Sequence, residues 1–538
     1  MSLLIRQPRP FCFVLLALAL LASIFGRPDI PIDETRYVSV AWEMWSGGGW
    51  LDYLVPHRNG LPYHHKPPLL FWLINLGWMV FGVSDWWPRV ISALFSLSCL
   101  PLTAAIAARL WRHEGALGER TGWLLLGGAV WLLFSTSVVF DVMLTAFVLL
   151  ALLAILRAAD GERRSTWGLF GLAIGLGILT KGPVVLLHVL PVSLLAPWWA
   201  FRHRINWRRW YKGLALGVLL GAAIALLWAA PAAAFGGEEF REAIFWGQTA
   251  GRISGSLAHR QPFWFYLAIL PVLLFPWIFW GGAWRALFAA LGQHGEAAGG
   301  VRFCVAWILP TFIGFSLAGG KQLHYILPLL PASALLLALG MAKVPASGRL
   351  AALPVALVIA VVGGLFLLPH TWTGTMWLAP YAGPEWMIGG ALLVVLAGLI
   401  LLTARGEAAP ARLAMGCGAL VIIFQLAVLR PMAPIFDMAP MGQRLKALEM
   451  QDVPVAHVGA YNDQYHFYGR LTRPLQDIAR NEIVAWLDKN PRGRVVAYLK
   501  RSDQVAAVQP EFWQPYLEGA AVLLDARSAR RMPDLSAK

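Results

Sequence analysis

Charge is what this sequence has least of. Of its 538 residues, 14% are Asp, Glu, Lys or Arg, against 58% hydrophobic; a soluble protein of this length carries nearly twice that charge density. Cysteine is scarce as well. Cys12, Cys99, Cys304 and Cys417 all fall inside apolar runs and at no metal-type spacing, so they read as small buried hydrophobes and say little about redox compartment. A glycine-rich phosphate loop is missing, which excludes the common nucleotide fingerprints. Internal repeats and long low-complexity tracts are missing too, which weighs against a secondary transporter built from corresponding halves.

Apolar sequence takes the place of charge. Mean hydropathy is +0.61, and apolar runs recur near the 20-residue length that crosses a hydrocarbon core of about 30 Å. The net charge of +15 does not point to nucleic acid, because the basic residues cluster in short loops between these runs. That is the positive-inside pattern, with attraction to anionic lipid. Candidate spans lie at 11–26, 86–108, 123–135, 139–156, 166–180, 183–200, 213–235, 263–283, 303–318, 322–342, 350–368, 385–403 and 411–430, about 13 transmembrane helices in all. The pair flanking Asp141 is short for a full crossing. The first run follows Arg6 and Arg9 with no small-residue cleavage site after it, so it reads as an uncleaved anchor.

Loop charge orients the chain. With the N-terminus cytoplasmic, Arg109, Arg112 and Arg120, then Arg157, Arg163 and Arg164, then Arg202 to Lys212, and later Arg285, Arg302, Lys343, Arg349, Arg405 and Arg412 all fall inside. An odd number of spans leaves the C-terminal segment outside. The runs Val453–Gly459, Arg494–Leu499 and Ala520–Asp525 read as buried strands, and Asn481–Leu487 as the start of an amphipathic helix ended by Asn490-Pro491. The expected organisation is a polytopic α-helical membrane domain over 1–430 and a periplasmic α/β domain over 431–538, in a multi-pass protein of the cell inner membrane.

The chemistry-bearing residues gather in the loops assigned to the outer face. Asp33, Glu34, Thr35, Arg36 and Tyr37 follow the first span; Tyr63, His64, His65, Lys66, Pro67 and Pro68 close the same loop. Asp33 suits a general base or a carboxylate set against a leaving group; a solvated loop carboxylate is the plainer alternative. Asp141 opens an apolar run, where an acidic side chain is costly and by default functional; its plainer alternative is a salt bridge, for example to Arg89. Lys181, between Thr180 and Gly182-Pro183, is a phosphate holder or a snorkelling anchor. Gln248, Arg252 and His259 precede the aromatic run Pro262–Tyr266, most simply an interfacial belt. Gly319-Gly320-Lys321 leads into His324 and Tyr325, and suits close approach of backbone to a ligand. His64, His65, His259 and His324 share no established metal spacing, and hydrogen-bonding histidines are the reading the spacing favours.

These motifs, in this order over about residues 11–340, resemble the membrane-embedded GT-C glycosyltransferases of the protein O-mannosyltransferase and aminoarabinose (lipid A) transferase group, which use polyprenyl-phosphate-linked sugars. The matching elements are Asp33–Tyr37, Tyr63 with Lys66-Pro67-Pro68, Asp141–Leu144, Lys181-Gly182-Pro183, His259 with Pro262–Tyr266, and Tyr325–Pro328. The resemblance implies a GT-C fold, Asp33 as catalytic carboxylate with Arg36 and Tyr37 as its partners, and Lys66 near the donor phosphate. At the position before that lysine the lipid A transferases typically have Glu, linked there to a metal site. This chain has His65, which leaves His65 and His259 as candidate ligands of a divalent metal.

The residues fit such chemistry without the name. A lipid phosphate is a good leaving group, so no nucleotide fold is needed. Cations must hold it, which Lys66, Lys181, Arg252 and Lys321 supply, with Tyr63 and Tyr325 beside them. A hydroxyl acceptor needs a base; a phosphate acceptor does not, and Asp33 would then balance an oxocarbenium-like centre. The expected activity is inverting transfer of a sugar from a polyprenyl-phosphate donor to a lipid, glycan or protein acceptor at the outer face, including lipid A-type modification with aminoarabinose, with Asp33 and Asp141 catalytic. The alternative is a transporter, or a protein that binds or flips isoprenoid lipid without transferase chemistry.

Overall fold

The computed structural model describes residues 8–115, 117–162, 165–247, 260–345, 347–368, 381, 383–500 and 502–532. Among them, eight helices are long and apolar enough to cross a membrane: Trp86–Leu110, Phe140–Ala159, Trp207–Phe235, Ala297–Leu317, Leu323–Met341, Arg349–Leu367, Pro384–Thr403 and Ala409–Leu429. Other expected spans are shorter or interrupted. The first apolar helix covers Phe11–Gly26 and the fifth Ser165–Lys181. The run before Asp141 breaks at Gly127-Gly128 into Leu117–Leu126 and Ala129–Phe134. Of the pair flanking Asp141, the helix Phe140–Ala159 therefore reaches spanning length by itself, and the segment before it does not.

Side chains sort as a bilayer demands. Leu227 is 78% exposed and Val80 69%, among many exposed apolar side chains on these helices, as a face turned to lipid presents. The helix Phe140–Ala159 lies at the other extreme, surrounded by Trp86–Leu110, Ser165–Lys181 and Val184–Leu194. Ser165–Lys181 and Trp207–Phe235 approach closely because Gly171 and Gly175 face Gly217 and Ile224, with Gly213, Gly217 and Gly221 repeating every four residues. Small residues at that spacing let backbones touch where no hydrophobic force pulls helices together.

One end of the bundle gathers the basic loops. Arg109 and Arg112 both reach Asp160, at 2.7 and 2.6 Å, and Arg109 and Arg157 share Glu162. Asp141 and Arg157 stand in the first and last turns of one helix of 20 residues, about 30 Å long, so the charged loops and the Asp141 region occupy opposite ends.

The C-terminal region contains a five-stranded sheet. Two short strands, β1 (His57–Arg58) and β2 (Leu61–Pro62), come earlier as a hairpin. The sheet strands are β3 (Val455–Val458), β4 (Gln476–Ile478), β5 (Arg494–Leu499), β6 (Phe512–Tyr516) and β7 (Gly519–Leu524), in the order β4-β3-β5-β7-β6, parallel over the first three and antiparallel over the rest. The segment from Asp463 to Leu475 docks on the loop that follows the first helix. Ser39 Oγ donates to the Asp463 carbonyl at 2.7 Å, Trp42 Nε1 to the Leu471 carbonyl at 2.8 Å, and Phe467 stacks on Trp78 at 5.4 Å. The helix Leu69–Phe81, which carries Trp78, belongs to this loop.

Candidate active site

Asp33 opens the helix Asp33–Gly47. A carboxylate in the first turn is favoured by the helix dipole, and residues three and four further on share its face. Arg36 accordingly donates to Asp33 Oδ1, and the Tyr37 hydroxyl lies 3.5 Å from the same oxygen. The Asp33 side chain is 34% exposed and that of Arg36 19%, while Tyr37 is buried. The arrangement presents a charged carboxylate to open space on a fixed support.

Phe140 joins this helix to the deeper part of the site. Its ring meets Tyr37 edge-on at 4.8 Å, and Lys66 Nζ stands 5.6 Å from its centroid. Lys66 is buried and within electrostatic reach of both Asp141 and His324; Asp33 reaches His324 as well. Tyr63 is buried beside His65 and Phe71, at ring separations of 5.4 and 6.1 Å.

Beneath them lies a second charge cluster. Lys181, the last residue of its helix, donates to Asp141 Oδ1; His324 Nε2 lies 3.6 Å from Asp141 Oδ2; and Lys181 Nζ sits 4.0 Å over the Tyr325 ring. Lys181 thus points into the protein instead of snorkelling. Asp141 does not pair with Arg89, whose Nη2 donates to Asp29 at 2.7 Å. Lys321 is also buried, but its amine donates to the carbonyls of Gln261 and Ala318 at 2.8 and 2.5 Å, closing a loop instead of presenting a cation. Phe263 and Trp264 are exposed as an interfacial belt requires, whereas Tyr266 is buried with its hydroxyl on the Gln322 carbonyl at 3.2 Å. Arg252, His259 and Gln248 lie outside the described residues.

Two buried ion pairs under the first loop escaped the sequence reading. Glu34 takes Arg27 Nη1 at 2.5 Å and the amides of Ile30 and Val138 at 2.8 and 2.7 Å. Asp29 takes Arg89 and the Tyr468 hydroxyl, the latter at 2.5 Å. Both fix the backbone just before Asp33. The adjacency of Asp29, Glu34 and Arg27 was visible in sequence; their partners Arg89, Val138 and Tyr468 are too distant along the chain. His188 was also missed: it is fully buried within electrostatic reach of Asp141 and Lys181.

Of the two candidate metal ligands, His65 stands in this loop and His259 lies outside the described residues. Burial pushes His64 and His65 down, His65 to about 3 with His64, Arg58, Arg36 and Lys66 adding to it. The two imidazoles stack edge-on at 4.3 Å, but no carboxylate joins them among the described groups close enough to share an ion. No step is assigned to a metal there.

Comparison with known proteins finds similar chains. The family described as dolichyl-phosphate-mannose-protein mannosyltransferase matches residues 65–235. Undecaprenyl phosphate-alpha-4-amino-4-deoxy-L-arabinose arabinosyl transferases are similar: that of Pseudomonas aeruginosa is 35% identical over 57% of this chain and 54% of its own length, and that of Erwinia tasmaniensis 32% over 59% and 56%. The chain spans about half the length of the curated relatives it matches. In structure, ArnT from Cupriavidus metallidurans bound to undecaprenyl phosphate superposes with a TM-score of 0.73 at 20% identity, covering 95% of this chain and 97% of that one. The archaeal oligosaccharyltransferase AglB from Archaeoglobus fulgidus gives 0.50 at 14% identity, over 91% and 70%. At these identities the likeness is one of fold.

Proposed function

We propose that this chain, a multi-pass membrane protein of the GT-C glycosyltransferase family that includes the aminoarabinose transferases, transfers a sugar from a polyprenyl-phosphate donor. The donor we favour is undecaprenyl-phosphate-linked 4-amino-4-deoxy-L-arabinose, the substrate in the names of the relatives. The acceptor is a lipid, with lipid A-type phosphate the reading we prefer over a glycan or protein. The observation that carries the proposal is the pairing of a half-exposed Asp33, held by Arg36 and Tyr37, with a buried cationic floor of Lys66 and Lys181.

In a single displacement the acceptor oxygen attacks the anomeric carbon as the bond from that carbon to the lipid phosphate breaks, inverting the centre. The phosphate leaves with the electron pair of that bond. Lys66, Arg36 and Lys181 stabilise its charge, the two lysines from buried positions where such interactions are strong. A hydroxyl acceptor gives its proton to Asp33; an anionic phosphate acceptor needs none, and Asp33 then balances positive charge growing at the sugar. Asp141 and His324 hold the Lys181 ammonium in place. An apolar cavity of about 460 Å³ elsewhere in the bundle, lined by Leu124, Leu273, Trp277, Leu309 and Leu337 among others, suits part of a polyprenyl tail.

The same reading sets the chain with its N-terminus cytoplasmic and residues 431–538 periplasmic. The basic cluster around Asp160 supports this orientation. The direct test supplies purified protein in detergent with radiolabelled undecaprenyl-phosphate aminoarabinose and lipid A. Label must move to lipid A; a protein that binds the donor and moves none is a lipid binder.

A further inference from the structure

Three side chains meet where the first outer loop joins the C-terminal region. Glu43 stands near the end of the helix Asp33–Gly47, Asp463 follows β3, and His466 opens the short helix His466–Gly469. One donor atom from each lies within 4.8 Å of the other two, the one such grouping among the described residues. Asp463 is fully buried. Its Oδ2 accepts the Asn59 amide at 2.8 Å, but Oδ1 has no hydrogen-bond partner. A buried carboxylate oxygen without a partner is costly, and buried groups of this kind are rarely left so.

Two facing carboxylates require positive charge between them, either a shared proton or a cation. His466, which also meets the Tyr461 hydroxyl and the Arg473 backbone, brings an imidazole nitrogen into the same group, a donor that a shared proton does not use. We propose that Glu43, Asp463 and His466 bind a Zn²⁺-class divalent cation that ties the helix bearing Asp33 to the C-terminal sheet region. Two carboxylate oxygens and one imidazole nitrogen, with a water completing the shell, form a familiar set for such ions. In a tetrahedral shell with bonds of about 2.0–2.2 Å, donors stand roughly 3.4 Å apart, a small side-chain rotation from the present spacing.

The surrounding groups orient the donors as outer-shell partners do. The Asn59-Gly60 turn, both residues at positive φ as a type I′ hairpin demands, aims its amides at Glu43 at 2.5 and 3.1 Å. The Tyr461 hydroxyl lies 3.0 Å from His466 Nδ1. Glu43 is ten residues from Asp33 on one helix, about 15 Å along its axis. The ion therefore positions the helix and does not touch substrate. This site stands apart from His65, and the inference does not depend on which sugar is transferred.

The test is made on full-length protein in detergent, stripped with EDTA, reloaded with Zn²⁺ alone and passed over a desalting column. Wild type should retain about one Zn²⁺ per chain, with a melting midpoint that falls on EDTA treatment and returns on reloading. Asp463→Asn and His466→Gln should lose the retained ion and the response to EDTA. Glu43→Gln, at a half-exposed position less prone to misfolding, should weaken retention by roughly tenfold or more. Wild type that holds no stoichiometric zinc overturns the site. So does zinc retained undiminished in all three variants, which would place the ion elsewhere. An EDTA-insensitive wild type with Asp463→Asn melting no lower identifies the shared proton instead.

Discussion

Lys181 donates to Asp141 across consecutive antiparallel helices, with 4% and 2% of the two side chains exposed. Asp141 begins one helix and Lys181 ends the next, so a hairpin of helices brings the charges to the same end. Removing one partner of such a pair leaves the other charge buried, at about 3–5 kcal/mol. Asp141→Asn should lower the melting midpoint markedly as well as transfer. The double variant Asp141→Asn with Lys181→Met should recover most of the stability and none of the transfer. Wild-type transfer by the double variant would reduce the pair to a structural role.

Asp33→Asn keeps shape and removes charge and basicity. Turnover at saturating donor should fall by roughly 10²–10⁴-fold, while donor affinity changes little because the Asn amide still meets Tyr37. Lys66→Ala should act on the other quantity, weakening donor binding by about 1.5–3 kcal/mol through loss of a charge-assisted contact. Steady-state kinetics paired with donor titration separates the two. Undiminished turnover in Asp33→Asn would leave the chain a fold relative without the proposed chemistry.

Burial holds His65 neutral, its pKa pushed down to about 3, whereas in the unfolded chain it titrates near about 6.5. The unfolded state then binds more protons below that value, so stability is full above it and falls as pH drops from 6.5 toward 3. His65→Gln should flatten part of this decline in melting midpoint between pH 7 and 5. An unchanged slope would mean that the imidazole is charged in the folded protein.

The four native cysteines are all buried, which gives a quiet background for thiol labelling. Lys212→Cys should react with an impermeant reagent only after the cytoplasmic side is opened. Trp513→Cys, on an exposed position of β6, should react from outside. The reverse pattern inverts the topology and with it the proposed outer site.

The sequence was most legible where periodicity and apolar content are strongest. In the C-terminal sheet, β3, β5 and β7 were read from their apolar runs, and these are the three inner strands of the order β4-β3-β5-β7-β6. Both edges were missed. Gln476–Ile478 is three residues with two exposed, and Phe512–Tyr516 carries Pro515, which only an edge tolerates. The amphipathic helix appears at Ile483–Lys489 behind a short turn over Arg480–Glu482. In the site, the loop that holds Asp33, Arg36, Tyr37 and Lys66 declared itself by charge in apolar surroundings. Pairings did not: that Asp141 chooses Lys181 over Arg89, and that Lys321 spends its amine on carbonyls, depend on helix packing that no spacing encodes.

The burial of the helix Phe140–Ala159 has a consequence for biogenesis. Its N-terminal carboxylate is buried in the finished protein, and its neutralising ammonium arrives only with the last residue of the following helix. A lone charge at that depth is costly to partition into lipid. Folding must therefore bring the two helix ends together before that carboxylate is closed off from solvent.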